Sequence, residues 1–303
     1  MPEPRTPSGF KRTFLDLLES TRPQQWIKNL LLFAPLLFAK KLSDRHRIVE
    51  ALAAFAVFCA LSAGVYLLND LLDRNRDLSH PVKSRRPIAS GRLRPGTVIA
   101  ALLILFAGGL LSAWRLSPAF AATALSYVLL NLAYSFYLKE KVILDVMAIA
   151  FGFVLRALAG AVAIDVEISP WLILCTILLS LFLAFCKRRC ELESLEQDSA
   201  NHRITLGEYS LVFLDQMISI TTASTVVCYS FYTISPEVEE KLGTQHLFIT
   251  IPFVLYGIFR YLYLVHRKGQ GGNPASSLLA DRPLLVCVGL WAAVVAAILY
   301  HYH

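Results

Sequence analysis

The stretch LLNDLLDRNRDLSHPVKSRRPIASGRL, residues 67–93, follows a long apolar run and is dense in charges of both signs. Apolar runs recur along the rest of the chain, since 56% of its 303 residues are hydrophobic and only 17% are charged. Repeated long apolar segments indicate a polytopic, all-α membrane protein. The net charge of +7 does not indicate nucleic-acid binding, because the basic residues lie in short loops between the apolar runs.

Nine segments have the length that a bilayer core of about 30 Å requires of a helix. We predict transmembrane helices at residues 22–41, 50–69, 97–115, 118–137, 142–164, 169–186, 210–233, 246–265 and 283–301. With the N-terminus inside, 21 of the 29 Lys and Arg residues fall on the inner side and six on the outer side. The positive-inside rule therefore predicts an N-in, C-out orientation.

We expect residues 1–303 to form one integral-membrane domain whose site is built from two inner loops, 70–96 and 187–209. These are the longest inner loops, and both are rich in charge. The six cysteines form no CxxC pair, and most lie within apolar runs. Cysteine packs there as a small hydrophobe, so we expect no metal or redox role for these thiols.

The acidic part of the stretch has helical spacing. Asn69, Asp73 and Asp77 are four residues apart, so on a helix they line one face over about 12 Å, while Asp70 points about 100° away. Carboxylates at this spacing repel one another unless a cation neutralises them. Mg²⁺ binds through one or two carboxylates together with substrate phosphates, which makes these three residues a candidate magnesium site. The alternative is a solvated helix end whose aspartates pair with Arg74 and Arg76.

Basic residues follow the acids at Lys83, Arg85 and Arg86. Lysine and arginine bind phosphate groups, and arginine does so through two parallel hydrogen bonds. Pro81 and Pro87 stop the helix and would allow this segment to fold back over the metal. We therefore expect these cations to hold a phosphorylated substrate.

The motif NDLLDRNRDLSHPVKSRRPI, residues 69–88, resembles the first aspartate-rich motif of the UbiA-type polyprenyltransferase superfamily. The resemblance implies two four-helix halves and a ninth helix around a membrane-open cavity. Aromatic prenyltransferases of this superfamily carry a second aspartate-rich motif, DxxxD, after the sixth span. Here that position reads CKRRCELESLEQD, residues 186–198, with Lys187, Arg188 and Arg189 in place of the acids.

This departure resembles the decaprenyl-phosphate phosphoribosyltransferase branch of the superfamily. Three further stretches resemble the same branch: RPQQWIKNLLLFAPLLFA at 22–39, LDVMAIAFGFVLRALAGA at 144–161 and RYLYLVHRKGQGGNPASSLLADRPL at 260–284. The resemblance implies transfer of 5-phosphoribose from phosphoribosyl pyrophosphate to a polyprenyl phosphate, with Mg²⁺ as cofactor. Lys187 and Arg188 would then orient the lipid phosphate.

Four more residues are candidates for substrate binding, each with an ordinary structural alternative. Lys28 either faces the site or extends to the headgroups, and Arg156 either contacts phosphate or hydrogen-bonds between helices. Tyr134 and Lys139 lie at the inner end of the fourth span, where tyrosine is commonly an interfacial anchor.

The expected protein is thus an enzyme of the inner membrane whose active site faces the cytoplasm, because its donor is soluble. Two other functions stay open at this point. One is prenyl transfer to an aromatic acceptor, with the glutamates at 191–196 binding a second metal. The other is transport of lipid phosphates, although the short outer loops count against a pathway open to both faces. The sequence does not specify the oligomeric state or the length of the lipid.

Overall fold

A computed structural model describes residues 9–79, 83–195, 207–269 and 271–301. Within these ranges the regular structure is helical and there is no β-strand, so the all-α prediction is confirmed. The α-helices are α1 (Gly9–Ser20), α2 (Ala34–Phe38), α3 (Arg45–Leu72), α4 (Arg74–Leu78), α5 (Pro95–Leu116), α6 (Pro118–Phe136), α7 (Leu144–Ala163), α8 (Pro170–Leu195), α9 (Leu211–Ile234), α10 (Pro236–Leu242), α11 (Ile251–Lys268), α12 (Pro274–Ala280) and α13 (Arg282–His301). The 3₁₀-helices are Pro23–Phe33, Lys83–Arg85, Leu138–Glu140 and His246–Thr250.

In the described part of the chain, eight helical segments are long and apolar enough to cross a membrane. They are α3, α5, α6, α7, α8, α9, α11 together with the 3₁₀-helix before it, and α13. The sequence predicts each of these eight. The protein is therefore a multi-pass membrane protein, because each segment satisfies its backbone hydrogen bonds internally and offers an apolar surface to lipid.

The first predicted span, residues 22–41, is not one continuous α-helix. It is a 3₁₀-helix at Pro23–Phe33 followed by the short helix α2, and Pro35 lies at the junction. A 3₁₀-helix rises about 2.0 Å per residue, so the sixteen residues from Pro23 to Phe38 extend over roughly 30 Å. We call residues 23–38 the entry segment. Arg22 at its start pairs with Asp70 near the end of α3, and its far end leads into the start of α3, so it runs antiparallel to that helix.

The entry segment packs closely against α7 at Gly160. A Cβ atom at Gly160 would lie 2.1 Å from the carbonyl oxygen of Leu32, which is closer than any side chain tolerates. Glycine at this position therefore lets the backbone of the segment touch the helix. Leu32 is fully buried in this contact.

The long helices form two groups of four. In the first, α3, α5, α6 and α7 share a core that contains Phe58, Phe120 and Tyr127. In the second, α8, α9, α11 and α13 pack in chain order, and α7 joins the groups by packing on α8. The entry segment contacts both groups, since Phe38 meets the ring of Tyr232 in α9 at 5.9 Å between centroids. This segment therefore links the two groups at a second place.

The alternating directions of the helices place four connections at the same end of the molecule. They follow α3, α6, α8 and α11, and their described parts are residues 73–79 and 83–94, 137–143, 207–210, 269 and 271–281. We call this the site end, because both charged loops predicted to form the site lie there. Residues 80–82 and 196–206 of those loops, including Glu196, lie outside the described residues. The orientation across the membrane, the single-domain assignment and the membrane-open cavity stay predictions.

Candidate active site

The acidic motif lies where α3 ends. The helix stops at Leu72, the backbone changes direction at Asp73, and α4 begins at Arg74. The four-residue backbone pattern continues through the change, because the Asp73 amide donates to the Asn69 carbonyl at 2.9 Å and the Asp77 amide donates to the Asp73 carbonyl at 2.8 Å. Asn69, Asp73 and Asp77 therefore keep nearly helical spacing across two helices.

Each motif side chain has a partner from another part of the site end. Ser135 Oγ in α6 donates to Asn69 Oδ1 at 2.6 Å. Lys139 Nζ lies 3.0 Å from Asp73 Oδ1, and Arg86 Nη1 lies 2.6 Å from Asp77 Oδ2. The structure thus brings together predicted residues from α3, α4, the 83–94 loop and the turn after α6.

Asp70 also belongs to the site, although helical spacing alone does not predict this. Its side chain is buried and pairs with Arg22 and with Arg86, the latter at 3.1 Å. Arg86 consequently bridges Asp70 and Asp77. Arg22 has a positive φ of 51° and lies over the ring of Tyr66, 5.2 Å from its centroid. Such a backbone conformation costs free energy in an arginine, and the ion pair and the ring contact hold it in place.

The acidic motif suits a metal that a substrate helps to bind. No three His, Cys, Asp or Glu side chains within the described ranges group closely enough to hold a metal by themselves. Asn69, Asp73 and Asp77 nevertheless supply hard oxygen donors, and Asp73 is partly exposed. Mg²⁺ is usually held in proteins by one or two carboxylates, water and substrate phosphates, so this donor set fits it.

A cluster of positive charge adjoins the acidic motif. Lys28 in the entry segment lies within electrostatic range of Arg22 just before that segment, of Arg156 in α7 and of Lys187 in α8. Arg22 directly precedes the 3₁₀-helix of the entry segment, and Lys28 lies within that helix. We call these four residues the basic cluster. Of them, only Arg22 was not a predicted site residue.

Arg156 is buried within α7 without a carboxylate partner in the part of the chain that the structure describes. Its guanidinium donates to Asn29 Oδ1 at 2.8 Å, to the Gly152 carbonyl at 2.9 Å and to the Tyr127 hydroxyl at 2.8 Å. It also lies 4.7 Å from the centroid of the Tyr127 ring. All these partners are neutral, so an unneutralised positive charge is held inside the membrane segment. Charges at such depth are rare and commonly functional.

Arg188 belongs to a different, closed network. Its side chain has no exposed surface, and it pairs with Asp145 at 2.6 Å and with Glu191. Tyr134 accepts a third hydrogen bond at 3.3 Å, and Tyr209 donates to Asp145 at 2.8 Å. Burial raises the pKa of Tyr209, which therefore remains a hydroxyl donor. Each of the three guanidinium nitrogens of Arg188 donates a hydrogen bond inside the protein, so its contact with a lipid phosphate stays a prediction.

The acids that follow the KRR sequence form ion pairs with its cations. Lys187 lies 3.6 Å from Glu191, and Arg189 lies 2.8 Å from Glu193 and 2.7 Å from Asp215. Lys187 retains the most exposure of the three cations. Because Glu191 and Glu193 pair with cations, the structure favours an ion-pairing role for them over binding of a second metal.

The remaining predicted residues lie on the exposed side of the site end. Lys83 and Arg85 form a short 3₁₀ turn and are exposed, and the Arg85 carbonyl accepts a hydrogen bond from Arg92 at 3.0 Å. Tyr134 contacts the Arg188 network and does not act there only as an interfacial anchor.

Comparisons with known proteins identify relatives of this chain. The model of the UbiA prenyltransferase family matches residues 30–281. The chain is 32% identical to the decaprenyl-phosphate phosphoribosyltransferase of Mycolicibacterium smegmatis over 94% of this chain and 92% of that protein. It is also 32% identical to the protein of the same name from Corynebacterium glutamicum, over 94% and 86% respectively. Its fold is similar to that of a UbiA homolog from Archaeoglobus fulgidus bound to GPP and Mg²⁺, with a TM-score of 0.68, 17% identity and coverage of 95% of this chain and 99% of that one.

Proposed function

This chain belongs to the UbiA prenyltransferase family, and we propose that it transfers 5-phosphoribose from phosphoribosyl pyrophosphate to a polyprenyl phosphate such as decaprenyl phosphate, releasing pyrophosphate. The relatives named for this activity match over nearly their whole length, and the basic cluster gives a physical reason for the assignment.

The observation that carries the proposal is the two-sided charge of the site. On one side Asn69, Asp73 and Asp77 offer oxygen ligands. On the other side the basic cluster places cations from the entry segment, α7 and α8 around Lys28. A prenyl diphosphate held between two metal sites needs acids on both sides. A metal-bound pyrophosphate donor and a separate phosphate acceptor need acids on one side and cations on the other.

The donor is assigned to the acidic side. Asn69, Asp73 and Asp77 would hold Mg²⁺, which when bound supplies positive charge to the departing pyrophosphate. Arg86 already pairs with Asp70 and Asp77, so its guanidinium lies where a phosphate bound at the motif would meet it. Exposed Lys83 and Arg85, together with Lys139 beside Asp73, complete the cations on this side.

The acceptor phosphate is assigned to the basic cluster. Lys187 lies in the last third of α8, where we expect the depth of lipid headgroups, and Lys28 and Arg156 would extend the positive charge along the entry segment and α7. A polyprenyl phosphate can then leave its tail in hydrocarbon while its phosphate meets these cations. Arg188 acts as a positioning residue, since it ties α8 to Asp145 at the start of α7.

The chemical step needs little covalent help from the protein. An oxygen of the acceptor phosphate attacks C1 of the ribose, the bond from C1 to the pyrophosphate oxygen breaks, and the pyrophosphate carries away the bonding electrons. No general base is needed, because the acceptor is already anionic at pH 7. The protein contributes by holding two anions in line against their repulsion, which is a positioning and electrostatic task.

The proposed location follows from the donor. Phosphoribosyl pyrophosphate is soluble, so the site end should face the cytoplasm from the inner membrane. This arrangement is the one that the loop charges predict.

The function is tested with purified protein, Mg²⁺ and two substrate pairs. One pair is phosphoribosyl pyrophosphate with decaprenyl phosphate, and the other is geranyl diphosphate with 4-hydroxybenzoate. We expect mass spectrometry to find a phosphoribosylated lipid from the first pair and no product from the second. A prenylated aromatic product without the first product would overturn the proposal and favour the prenyltransferase alternative.

A further inference from the structure

Helix α1 lies outside the proposed active site, and its polar side chains face the protein while its apolar side chains are exposed. Its polar residues Asp16 and Ser20 are buried against the protein, whereas Phe14, Leu15 and Leu18 are 60%, 56% and 43% exposed. The three exposed side chains lie within about 100° of one another around the helix, so they form one apolar stripe. A contiguous apolar stripe that faces away from the protein marks a surface that contacts lipid or another protein.

The polar side of α1 is fixed to the loop that carries the predicted donor-binding cations. Arg92 pairs with Asp16 at 2.6 Å and with Glu19 at 3.3 Å. The same guanidinium donates to the Arg85 carbonyl at 3.0 Å. One arginine therefore connects α1 to the backbone beside Arg86, and the orientation of the helix is determined by these contacts.

The exposed stripe continues a surface that already faces lipid. Leu17 of α1 packs on a cluster that includes Leu67 of α3 and Val98 of α5. Near that contact, Ile99 and Leu103 of α5 are exposed on a helix that is apolar enough to cross a membrane. Helix α1 also leads directly into the entry segment at the site end. The apolar stripe of α1 thus lies beside lipid-facing side chains at the end of the spanning region.

We propose that α1 is an interfacial helix whose stripe of Phe14, Leu15 and Leu18 inserts into the bilayer surface at the site end and braces the 83–94 loop through Arg92. The partner is the lipid at the boundary between headgroups and acyl chains. Amphipathic helices bind there with their apolar face buried by about 5–10 Å. The proposal does not depend on which reaction the site performs.

The position of the stripe is tested by nitroxide labelling of the full chain in phosphatidylethanolamine–phosphatidylglycerol nanodiscs. Leu15→Cys carries the label on the stripe, and Arg12→Cys carries it on the exposed polar side of the same helix. Labelling of the unsubstituted protein corrects for the six native cysteines, of which five are buried and one is partly buried. Collision rates are measured with oxygen, which partitions into lipid, and with a water-soluble nickel chelate.

We expect the label at residue 15 to collide with oxygen and to be shielded from nickel, and the label at residue 12 to show the reverse. Strong nickel contact at residue 15 would place the stripe in water and overturn the proposal. Shielding of residue 15 from both reagents would show that protein covers the stripe, either a second copy or residues 1–8, and would overturn it equally.

The brace is tested by hydrogen–deuterium exchange on the same nanodiscs, without any assay of activity. Leu15→Glu places a charge in the stripe and should release α1 from the lipid, so exchange of residues 83–94 should rise several-fold. Arg12→Glu changes charge on the polar side and should leave that exchange as in the unsubstituted protein. Equal exchange in Leu15→Glu and the unsubstituted protein would contradict the bracing role.

Discussion

Substitution of Arg156 tests whether this residue acts on substrate or only connects helices. Its charge is buried among neutral partners, and two of them, Asn29 and Tyr127, have another contact. Ser62 hydrogen-bonds Asn29 at 3.3 Å and Tyr127 at 3.2 Å, so neither is orphaned when the guanidinium is removed. We therefore predict that Arg156→Met reduces activity strongly without destabilising the fold.

The expected changes in Tm and in kcat/KM follow from the hydrogen-bonding, desolvation and charge energies of Arg156. Hydrogen bonds to a charged group contribute about 1.5–3 kcal/mol each, while burial of an ion costs several kcal/mol, and here no opposite charge compensates that cost. These terms roughly cancel, so Tm should stay within about 4 °C of the unsubstituted protein or rise. For a phosphate about 8 Å away in a medium of dielectric constant about 20, loss of one charge removes about 2 kcal/mol of attraction. That loss corresponds to roughly 30-fold in kcat/KM.

The chain offers a matched control in Arg260, which also lies within a spanning helix but pairs with Asp281 at 2.8 and 3.1 Å. Arg260→Met leaves a carboxylate without its partner, so it should lower Tm and leave kcat/KM of the remaining folded protein nearly unchanged. Both variants are measured by differential scanning fluorimetry in detergent and by steady-state transfer to polyprenyl phosphate. If Arg156→Met instead lowers Tm by more than about 8 °C while the folded fraction keeps its activity, Arg156 serves only to connect helices and the reasoning is refuted.

Three further perturbations test other parts of the site. Asp73→Asn and excess EDTA should each lower turnover at least about 100-fold, because hard cations need the carboxylate oxygen. Added Mg²⁺ should restore the activity of the EDTA-treated protein but not that of the variant. Full activity in EDTA would remove the metal from the mechanism. Lys187→Glu should lower kcat/KM for the lipid acceptor about 10- to 150-fold, the range for loss of a charge-assisted contact of about 1.5–3 kcal/mol, and should hardly change the KM of the donor. Lys141→Glu, an exposed change at the same end, should leave both parameters unchanged. Unchanged acceptor kinetics in Lys187→Glu would leave Lys187 only a topological role. Arg188→Met should cost about 3–5 kcal/mol of stability, because it leaves Asp145 buried without its partner, and retention of the unsubstituted Tm would show that the pair does not fix α7 to α8.

The sequence predicts those features that depend on local pattern. Eight spans are recognised from apolar length alone. The spacing of Asn69, Asp73 and Asp77 is nearly preserved because backbone hydrogen bonds continue through the end of α3. The entry segment differs from its prediction because Pro23, Pro35 and a tight contact with α7 favour an extended 3₁₀-helix over one α-helix.

The sequence does not predict features that depend on contacts between distant parts of the chain. Helical spacing predicts that Asp70 points away from the motif, and it pairs with Arg22, which is 48 residues earlier. The resemblance implies that Arg188 orients the lipid phosphate, and no local pattern shows that it pairs with Asp145, which is 43 residues away. Pairings of this kind depend on how the helices pack, and no local period of the sequence records them.

The central claim is that the bond from ribose C1 to pyrophosphate is exchanged for a bond from C1 to a lipid phosphate. The most direct test supplies purified protein, Mg²⁺ and polyprenyl phosphate with phosphoribosyl pyrophosphate that carries ¹⁴C in the ribose and ³²P in the β-phosphate. The account predicts that ¹⁴C enters the organic phase in equal amount to the ³²P released into water as pyrophosphate. Passage of ³²P into the lipid, or an organic phase that stays free of ¹⁴C while the protein is folded, would contradict it.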